Sequence, residues 1–321
     1  MKSTNERIIN CPSYITSIIK NQRIDNFLFK KFNNIPKSLI YKKIRTGKIR
    51  VNKKRIKPKY KLNKNDIIKI PFFQHQKKND IKEILNNVNI ITKLKKNILF
   101  EDKNLIILNK PSGIAVHGGS GIRFGIIEIF RKIYSSLQFL DLVHRLDRNT
   151  SGILILSKKN SSLRNLHEQI RNRTIKKKYI ALVHGKWNVK HTVVKAPLIK
   201  KFLYNGKKIM SVHPKGKVSE TRFQVKKQYK NTTLMNIFPI TGRTHQIRIH
   251  ASYAGHPLIF DPDYGDNILD SQLPVTNHVK KILLHANEIS FIHPNNKNKI
   301  TIKAPLEVRF EKYLNLLEDC N

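Results

Sequence analysis

Cysteine is nearly absent from this chain of 321 residues, which contains only Cys11 and Cys320. One cysteine lies near each end, and neither has metal-like spacing around it, which excludes a disulfide framework and a cysteine-based zinc site. Long apolar runs are also missing. No stretch approaches the roughly 18 residues that span a bilayer, and the N-terminal region lacks the apolar core of a signal peptide. We therefore expect a cytoplasmic protein that does not enter a membrane.

Acidic residues are scarce, with 21 Asp and Glu against 63 Lys and Arg and a formal net charge of +42. This excess predicts a polyanionic partner, either a nucleic acid or a membrane surface. Part of it is discounted, because the chain is also rich in Asn and Ile, the mixture that an AT-biased coding sequence produces. The distribution is more informative, since the first 100 residues contain 26 basic and 5 acidic side chains. The basic surface is therefore expected near the N-terminus.

Length and composition predict two folded domains. A hydrophobic content of 39% supports a substantial core, and 321 residues correspond to about two domains. We predict an N-terminal extension at 1–22, a small module at 23–70, a polar linker at 71–97 and a larger domain at 98–321.

The small module is predicted to contain two helices and a short β element. Apolar residues recur at helical spacing from Ile24 to Phe32, and a second helix is expected from about Pro36 to Thr46, ended by Gly47. Alternation then predicts short strands at 49–52 and 66–70.

Basic residues dominate this module. Fourteen of them and a single acid lie between Lys37 and Lys69, and the spacing of Lys37, Lys42, Arg45 and Lys48 places them on one helical face, which is expected to bind phosphates. The segment from residue 23 to residue 70 resembles the S4 RNA-binding domain. The resemblance implies an RNA-binding arm made of basic side chains: Arg23, Lys37, Lys42, Arg45, Lys48, Arg50, Lys53, Lys54 and Arg55.

The larger domain begins with alternating strands and helices and then consists mostly of strands. Strands are predicted at 105–108, 153–156 and 179–183, with a helix around Leu163, Leu166 and Ile170 between the last two. Further strand-like segments occur at 217–229, 232–238, 283–291 and 299–304. This order predicts an α+β fold with an antiparallel or mixed sheet and flanking helices.

The most informative segment is 144–152, His-Arg-Leu-Asp-Arg-Asn-Thr-Ser-Gly, which places Asp147 among basic and hydroxyl side chains before an apolar strand. A surface salt bridge is the plain alternative. His-Arg-x-Asp also occurs in kinase catalytic loops, but the other kinase motifs are missing. The glycine cluster at 118–121 lacks the Lys-Ser or Lys-Thr of a P-loop, and no HExxH motif indicates a metal site.

The segment resembles the HRLDxxTSG signature of the RluA, RluC and RluD group of pseudouridine synthases, and every fixed position is present. Two further blocks agree: Lys-Tyr-Ile-Ala at 178–181, followed by Gly185, and Gly-Arg-Thr-His-Gln-Ile-Arg-Ile-His at 242–250, followed by segments 255–257 and 261–265. One departure is Phe260, where many members have glycine. Together with the S4-like module, the resemblance covers most of the chain and implies the pseudouridine synthase fold.

The resemblance also implies a reaction: specific uridines of large-subunit (23S) ribosomal RNA are isomerised to pseudouridine. The N1–C1′ bond is cleaved, the uracil turns, and its C5 is joined to C1′. Nothing is added, so we expect no cofactor and no metal. Asp147 would be the essential carboxylate, and it would attack C1′, add to the base or remove a 2′ proton. The sequence leaves these three routes open.

Three further residues would act beside Asp147. Arg243 would be the cation that favours its ionised form, because an opposite charge nearby opposes the effect of desolvation. Tyr179 would lie against the uracil. Arg145 would fill the space that the flipped uridine leaves, since its planar guanidinium stacks well on bases. The alternative for Arg145 is an ion pair with Asp141 or Asp147.

The remaining motif residues are expected to support the loop. His144 and His245 would form structural hydrogen bonds. Thr150 and Ser151 would turn their hydroxyls onto the loop backbone, and Gly152 would allow a tight entry to the strand.

Two other functions compete with this interpretation. The chain would be an RNA-binding assembly factor if its catalytic domain were inactive. A glycoside or nucleoside hydrolase would need a second carboxylate, for which Asp261 and Asp263 are candidates. The expected partner is large-subunit ribosomal RNA, and the absence of a heptad pattern favours a monomer.

Overall fold

The computed structural model describes residues 13–18, 20–32, 35, 37–71, 88–118, 124–188, 192–202, 208–274 and 281–319. Both cysteines, Pro36 and two glycines of the cluster at 118–121, Gly119 and Gly121, lie outside these ranges. The chain forms two compact units, Met1–Asn86 and Asn87–Asn321. Within the described residues, no helix is long and apolar enough to cross a membrane.

The small unit combines two helices with short strands. Its elements are β1 Ser13–Thr16, β2 Gln22–Arg23, α1 Ile24–Lys31, α2 Lys37–Arg45, β3 Arg50–Val51, β4 Lys54–Arg55, β5 Lys61–Leu62 and β6 Ile67–Ile70. Four strands pair in the order β1-β6-β3-β4, and β2 pairs separately with β5.

One hydrophobic cluster holds the small unit together. Ile24 and Leu28 of α1, Ile40 of α2 and Ile68 of β6 are fully buried in it. Both predicted helices and both predicted strands are therefore present. Gly47 has a φ of +67° and follows the last turn of α2. Lys48 consequently lies beyond the helix, and the prediction that it shares a helical face with the other lysines is wrong.

The larger unit contains more strands than helices. Its elements are α3 Val88–Lys96, β7 Ile98–Glu101, β8 Leu105–Lys110, α4 Ile126–Ile133, β9 Asp141–Leu142, β10 Ser151–Ser157, α5 Asn160–Arg171, β11 Lys176–His184, β12 Val193–Lys195, β13 Leu198–Phe202, β14 Lys208–Val212, β15 Glu220–Gln228, β16 Thr232–Pro239, α6 Gln246–Tyr253, α7 Asn267–Ser271, β17 Leu284–Ile292, β18 Lys299–Lys303 and α8 Val308–Asp319.

These strands form a large mixed sheet in the order β12-β15-β16-β11-β17-β10-β8-β7, with β18 paired to β17 and β9 to β10. In the described ladders every pair is antiparallel except β10 with β17. The predicted α+β class is confirmed. The hairpin β13–β14 and the helices α7 and α8 do not follow from the sequence periodicity. Helix α3 occupies the end of the segment predicted as a linker, of which 72–87 lie outside the described residues.

The central strand β11 connects two hydrophobic clusters. Its residues 181 and 183 pack with Ile247 of α6 in one cluster, and its residues 180 and 182 pack with Phe310 of α8 in the other. Because successive side chains of a strand point to opposite faces, the two clusters lie on opposite faces of the sheet. Helix α6, which begins in the block at 242–250, is thereby fixed against the sheet.

Gly152 starts the strand that follows the 144–152 motif, and its backbone closely approaches β17. Its φ is +102°, and a Cβ atom at this position would lie 2.3 Å from the carbonyl oxygen of Ala286. No side chain fits there, because both the conformation and the space require glycine. The motif loop is therefore held directly against the neighbouring strand.

We predict that Gly152→Ala lowers the free energy of unfolding by about 3 kcal/mol or more, since it adds a backbone clash to the strain of a positive φ. Gly255→Ala is the matched control, because Gly255 has a φ of +82° with no atom within 4 Å of the added Cβ. It should cost only about 1 to 2 kcal/mol. Chemical denaturation followed by the fluorescence of Trp187, the single tryptophan, measures both. Equal costs would contradict the proposed clash.

Candidate active site

Asp147 lies in the loop between β9 and β10. Its backbone carbonyl accepts a hydrogen bond from the N–H of Thr150 at 3.2 Å, which closes a tight turn. The Asp147 side chain is 20% exposed, so it is sheltered but still accessible. The loop thus presents one carboxylate at the surface of the sheet.

The buried side chain of Lys110 binds the backbone of this loop. The sequence did not predict this role. Lys110 is fully buried at the end of β8, and its Nζ donates to the carbonyls of Pro111 at 3.0 Å, Ile114 at 2.9 Å and Arg148 at 3.1 Å. Burial lowers the pKa of Lys110 to about 7. Its three donors have three acceptors, and one of these, the carbonyl of Arg148, belongs to the residue after Asp147. A lysine inside an apolar strand pattern is the sequence signal that could have indicated this anchor.

The arginine beside Asp147 is Arg248. Its Nη1 lies 3.9 Å from Asp147 Oδ2, and His245 Nε2 lies 3.8 Å from Asp147 Oδ1. Arg243, the predicted cation, is exposed and donates from Nε to the carbonyl of Val218 at 3.2 Å. Both arginines belong to the block at 242–250. Arg248 faces inward because it lies within α6 on its packed side, whereas Arg243 precedes the helix, and the predicted assignment is corrected accordingly.

Two further carboxylates hold Arg248 in place. Its Nε donates to Asp261 Oδ2 at 2.7 Å, and its Nη2 donates both to Asp261 Oδ1 and to Asp263 Oδ2, the latter at 2.8 Å. Burial disfavours the charge on Arg248, but the hydrogen bonds and negative charge of Asp261 outweigh burial and raise its pKa. The guanidinium also lies over the ring of Tyr264, 4.9 Å from the centroid. Arg248 is therefore a fixed, permanently charged group.

His245 has an unusual backbone conformation directly before α6. Its φ of +54° and ψ of 19° place it in the left-handed region, and its Nδ1 lies 2.9 Å from the hydroxyl of Tyr264. That hydroxyl in turn accepts a hydrogen bond from the Met210 N–H of β14 at 3.1 Å. Burial lowers the pKa of His245, although the charge of Asp147 opposes this effect. The contacts support the structural role predicted for His245.

Gln246 fixes the turn that carries His245. Its Oε1 accepts from the Arg243 N–H at 3.0 Å, and its Nε2 donates to the carbonyl of Glu220 at 2.9 Å and to the hydroxyl of Thr221 at 2.9 Å. The side chain is almost completely buried. Gln246 thus ties the start of α6 to β15, and it is a second positioning residue that sequence reasoning did not single out.

Tyr179 reaches the site through the order of the strands. It pairs with Ala286 of β17, and the same Ala286 pairs on its other side with Gly152 of β10. Burial and the charge of Asp147 both raise the pKa of Tyr179, so its phenol stays neutral. The structure thereby places Tyr179 one strand away from Gly152 of the motif, and its contact with a uracil stays a prediction.

The hydroxyl residues of the motif behave differently from the prediction. Ser151 Oγ lies 2.9 Å from His285 Nδ1 and 3.5 Å from the carbonyl of Leu284, so it binds β17 and not the loop backbone. Thr150 is buried and contributes its backbone N–H to the turn. The predicted role of Ser151 is corrected: it attaches the loop to the neighbouring strand.

His144 contacts the backbone of β10. Its Nε2 accepts a hydrogen bond from the Ile155 N–H at 3.2 Å, which requires a neutral ring with the proton on Nδ1. Burial lowers its pKa to about 3. The contact supports a structural role for His144.

Arg145 is exposed and forms no ion pair or hydrogen bond within the described part of the chain. Asp141 lies 3.3 Å from Arg131 Nη2, and Asp147 faces Arg248. The alternative in which Arg145 pairs with one of these acids is therefore not observed. Its guanidinium is available for a ligand.

The basic residues of the small unit fall into two groups. Arg23 is engaged with the buried Asp25 at 2.6 Å, and Arg50 donates to the carbonyls of Gly47 at 3.0 Å and Lys53 at 3.3 Å. The others are exposed and have no acidic partner among the described residues: Lys42, Arg45, Lys48, Lys53, Lys54 and Arg55. The side chain of Lys37 lies outside the described residues.

Comparison with known proteins identifies the class. The sequence profile of the RNA pseudouridylate synthase family matches residues 104–253, and that of the S4 domain matches residues 22–68. The first match contains Asp147, Tyr179 and Arg248. The chain belongs to the RNA pseudouridylate synthase family, as the sequence motifs predict, and it is an RNA-modifying isomerase.

Particular relatives are similar along almost the whole chain. The ribosomal large subunit pseudouridine synthase C of Buchnera aphidicola subsp. Acyrthosiphon pisum is 54% identical over 95% of this chain and 96% of its own length. The protein of the same name from Haemophilus influenzae is 48% identical and covers 99% of both chains. The predicted subgroup is thus confirmed.

Solved structures support the fold. Human RNA pseudouridylate synthase domain containing 4 superimposes with a TM-score of 0.57 at 24% identity, covering 74% of this chain and 98% of its own. Human RNA pseudouridylate synthase domain containing 1 gives a TM-score of 0.52 at 19% identity, covering 69% and 94%. At this identity the likeness shows the fold alone.

Substitutions at the two arginines of the block at 242–250 should affect the reaction rate differently. Arg248→Lys should lower the rate of uridine isomerisation about 100-fold, because lysine is a point charge that cannot hold Asp261 bidentately while facing Asp147. Arg243→Lys should change it less than about threefold, as expected for an exposed cation. Release of tritium from C5-labelled uridine measures both under single-turnover conditions. An equally large loss in Arg243→Lys would contradict the geometric assignment.

Proposed function

We propose that this protein isomerises specific uridines of large-subunit ribosomal RNA to pseudouridine, acting as a monomer in the cytoplasm, with Asp147 as the essential carboxylate. The observation that carries the proposal is the sheltered Asp147 beside Arg248, close enough to Tyr179 for its charge to raise the pKa of that phenol. The names of the relatives point to the same RNA.

The chemistry needs an ionised carboxylate in a pocket that excludes water. The fixed guanidinium of Arg248 lies 3.9 Å from the carboxylate of Asp147, so a positive charge stands beside the group that would react. The Tyr179 ring offers a neutral surface for the uracil as it turns. Exclusion of water matters because water would capture a glycosyl intermediate and leave an abasic site. The three routes for Asp147 remain open: attack at C1′, addition to the base, or removal of a 2′ proton.

Arg145 has the properties of a residue that replaces the flipped uridine. It is two residues from Asp147, exposed, and has no partner among the described residues. Enzymes that act on a base extrude it from the stack, and a planar guanidinium can stack on the bases that remain. Arg145 would therefore stabilise the open RNA while Asp147 acts on the uridine.

The carboxylates next to the site do not favour a hydrolase. Asp261 and Asp263 are the second carboxylates that a glycosidase mechanism would require. Both accept hydrogen bonds from Arg248, and the Asp261 side chain is completely buried. Neither is therefore placed as a free general acid or nucleophile. Their contacts support a role in positioning Arg248.

The exposed basic residues of the S4 unit would hold the RNA. Six exposed cations without acidic partners form a phosphate-binding surface of the kind that positions nucleic acids without specifying sequence. Arg23 and Arg50 would contribute less than predicted, because their guanidinium groups already have partners within the unit.

Replacing the carboxylate tests the function directly. Asp147→Asn should abolish pseudouridine formation, since the amide has no negative charge, and Asp319→Asn in α8 is the control that should retain full activity. Both variants are expressed in a strain that lacks the gene, and large-subunit RNA is treated with a carbodiimide specific for pseudouridine and mapped by reverse transcription. Modification that persists with Asp147→Asn would contradict the mechanism. Full cellular function of an inactive variant would favour the assembly-factor alternative, and release of free uracil would favour a hydrolase.

The S4 surface gives a second prediction. Lys42→Glu with Arg45→Glu should raise KM for ribosomal RNA about tenfold and leave kcat unchanged, because phosphate contacts contribute to binding and not to chemistry. Lys30→Glu with Lys31→Glu in α1 makes the same change of net charge and should have a smaller effect. Steady-state kinetics at fixed salt compare the two. Equal effects would indicate general charge attraction, against a specific role of the α2 face.

A further inference from the structure

A polar depression of about 300 Å³ opens at the start of α5, outside the candidate active site. Its lining includes no acidic or aromatic side chain. Seven polar residues line it: Asn104, Lys159, Ser161, Ser162, Asn165, Asn295 and Lys297. They come from three separate segments, the turn before β8, the first turns of α5 and the turn between β17 and β18.

The helix start itself attracts anions. Helix α5 has 12 residues, and Lys159 at its N-cap position provides no side-chain hydrogen bond to the first turn. The N–H groups of Asn160, Ser161 and Ser162 have no acceptor within the described residues. Unpaired N–H groups and the helix dipole together favour a negative group at this end.

Ser162 provides an independent indication of a ligand. It is only 4% exposed, it lines the depression, and its hydroxyl has no hydrogen-bond partner in the described part of the chain. The rest of the residue is buried, whereas its hydroxyl oxygen keeps solvent contact and is therefore open to a ligand in the depression. A bound acceptor would satisfy the Ser162 hydroxyl together with the helix N–H groups.

The charges around the depression favour an anion. Lys159 and Lys297 are both exposed at its edge. The Nζ of Lys297 donates one hydrogen bond to the carbonyl of Pro294 at 3.1 Å. The nearest acid is Asp102, whose Oδ1 accepts from the N–H groups of Asn104 and Leu105 at 2.7 Å each. Its Oδ2 accepts from the Asn104 amide at 3.3 Å and lies 3.0 Å from His293 Nε2. Both oxygens of Asp102 are thus occupied.

We infer that this depression, here called the α5 pocket, binds a backbone phosphate of the RNA substrate away from the target uridine. The inference rests on the proposed function. A phosphate matches the two lysines, the hydroxyl and the helix N–H groups, and the absence of an aromatic lining leaves no surface for stacking a base. The contact would therefore be independent of sequence.

The position of the pocket suits an extended substrate. The Asp147 loop precedes β10 and α5 follows it, so the seven residues of β10 separate the two sites by roughly 20 Å. A strand of stacked nucleotides covers that distance in about six steps of ~3.4 Å. Holding the RNA at two points would orient the target uridine at Asp147.

Charge reversal tests the pocket in the full-length protein. Lys159→Glu with Lys297→Glu should raise KM for unmodified large-subunit RNA about tenfold, leave kcat unchanged and reduce the salt dependence of binding. The variant should fold, because an acidic side chain stabilises a helix N-terminus. Ser162→Ala should raise KM about threefold without changing the charge. Lys226→Glu with Lys312→Glu, two exposed lysines in β15 and α8, makes the same change of net charge and is the control.

The length of the RNA separates this proposal from the proposed function. Wild-type protein should bind an RNA with eight nucleotides on each side of the target more tightly than one with three, and the double variant should lose that difference. If the Lys159→Glu, Lys297→Glu variant has the same KM as the Lys226→Glu, Lys312→Glu control, or the same length dependence as wild type, the pocket is overturned while the isomerase function stands. If wild-type protein does not isomerise either RNA, the proposed function fails first.

Discussion

The ion-pair network centred on Arg248 is the interaction on which the site depends. The guanidinium of Arg248, on the buried side of α6, is held by Asp261 and Asp263. It lies 3.9 Å from Asp147. Burying a charge is unfavourable in free energy unless the charge is paired and hydrogen-bonded. Here two carboxylates already pair with Arg248 in the absence of substrate. The third carboxylate, Asp147, is left at a longer distance and partly exposed. The network therefore positions a cation without neutralising the acid that has to react.

The loop that carries Asp147 is fixed from three directions. The side chain of Lys110 binds the carbonyl of Arg148, and Ser151 binds His285 of β17. Gly152 lies so close to the backbone of Ala286 that no side chain fits between them. These contacts come from β8 and β17, the neighbours of β10 on either side. Preorganisation of this kind lowers the cost of reaching the reactive geometry, because the carboxylate does not have to be ordered during the reaction. The few polar residues buried here thus serve position more than stability.

The exposed basic residues, which give the chain its large positive charge, and the buried charged residues around Asp147 act over different distances. The basic residues of the S4 unit and of the α5 pocket are exposed, so water and salt screen them, and in the proposed function they would contribute to binding RNA as a polyanion. Arg248 and Lys110 are buried, where electrostatic effects are stronger and more local. The composition of the chain reflects the first group, whereas the geometry around Asp147 depends on the second. This explains why net charge indicates a partner but says nothing about the reaction.

The sequence by itself determined the α+β class, most strands and the two small-unit helices, and it pointed to Asp147 as the candidate carboxylate, because these follow from local periodicity and from a motif of consecutive residues. It did not decide which arginine faces Asp147, since Arg243 and Arg248 share one block and only the packing of α6 separates an exposed side chain from a buried one. Nor did it show that Lys110 anchors the loop or that Ser151 binds β17. Tyr179 and Gly152 lie on either side of Ala286 only because both of their strands pair with β17. Such contacts join segments far apart in sequence, and strand order and burial alone bring them together.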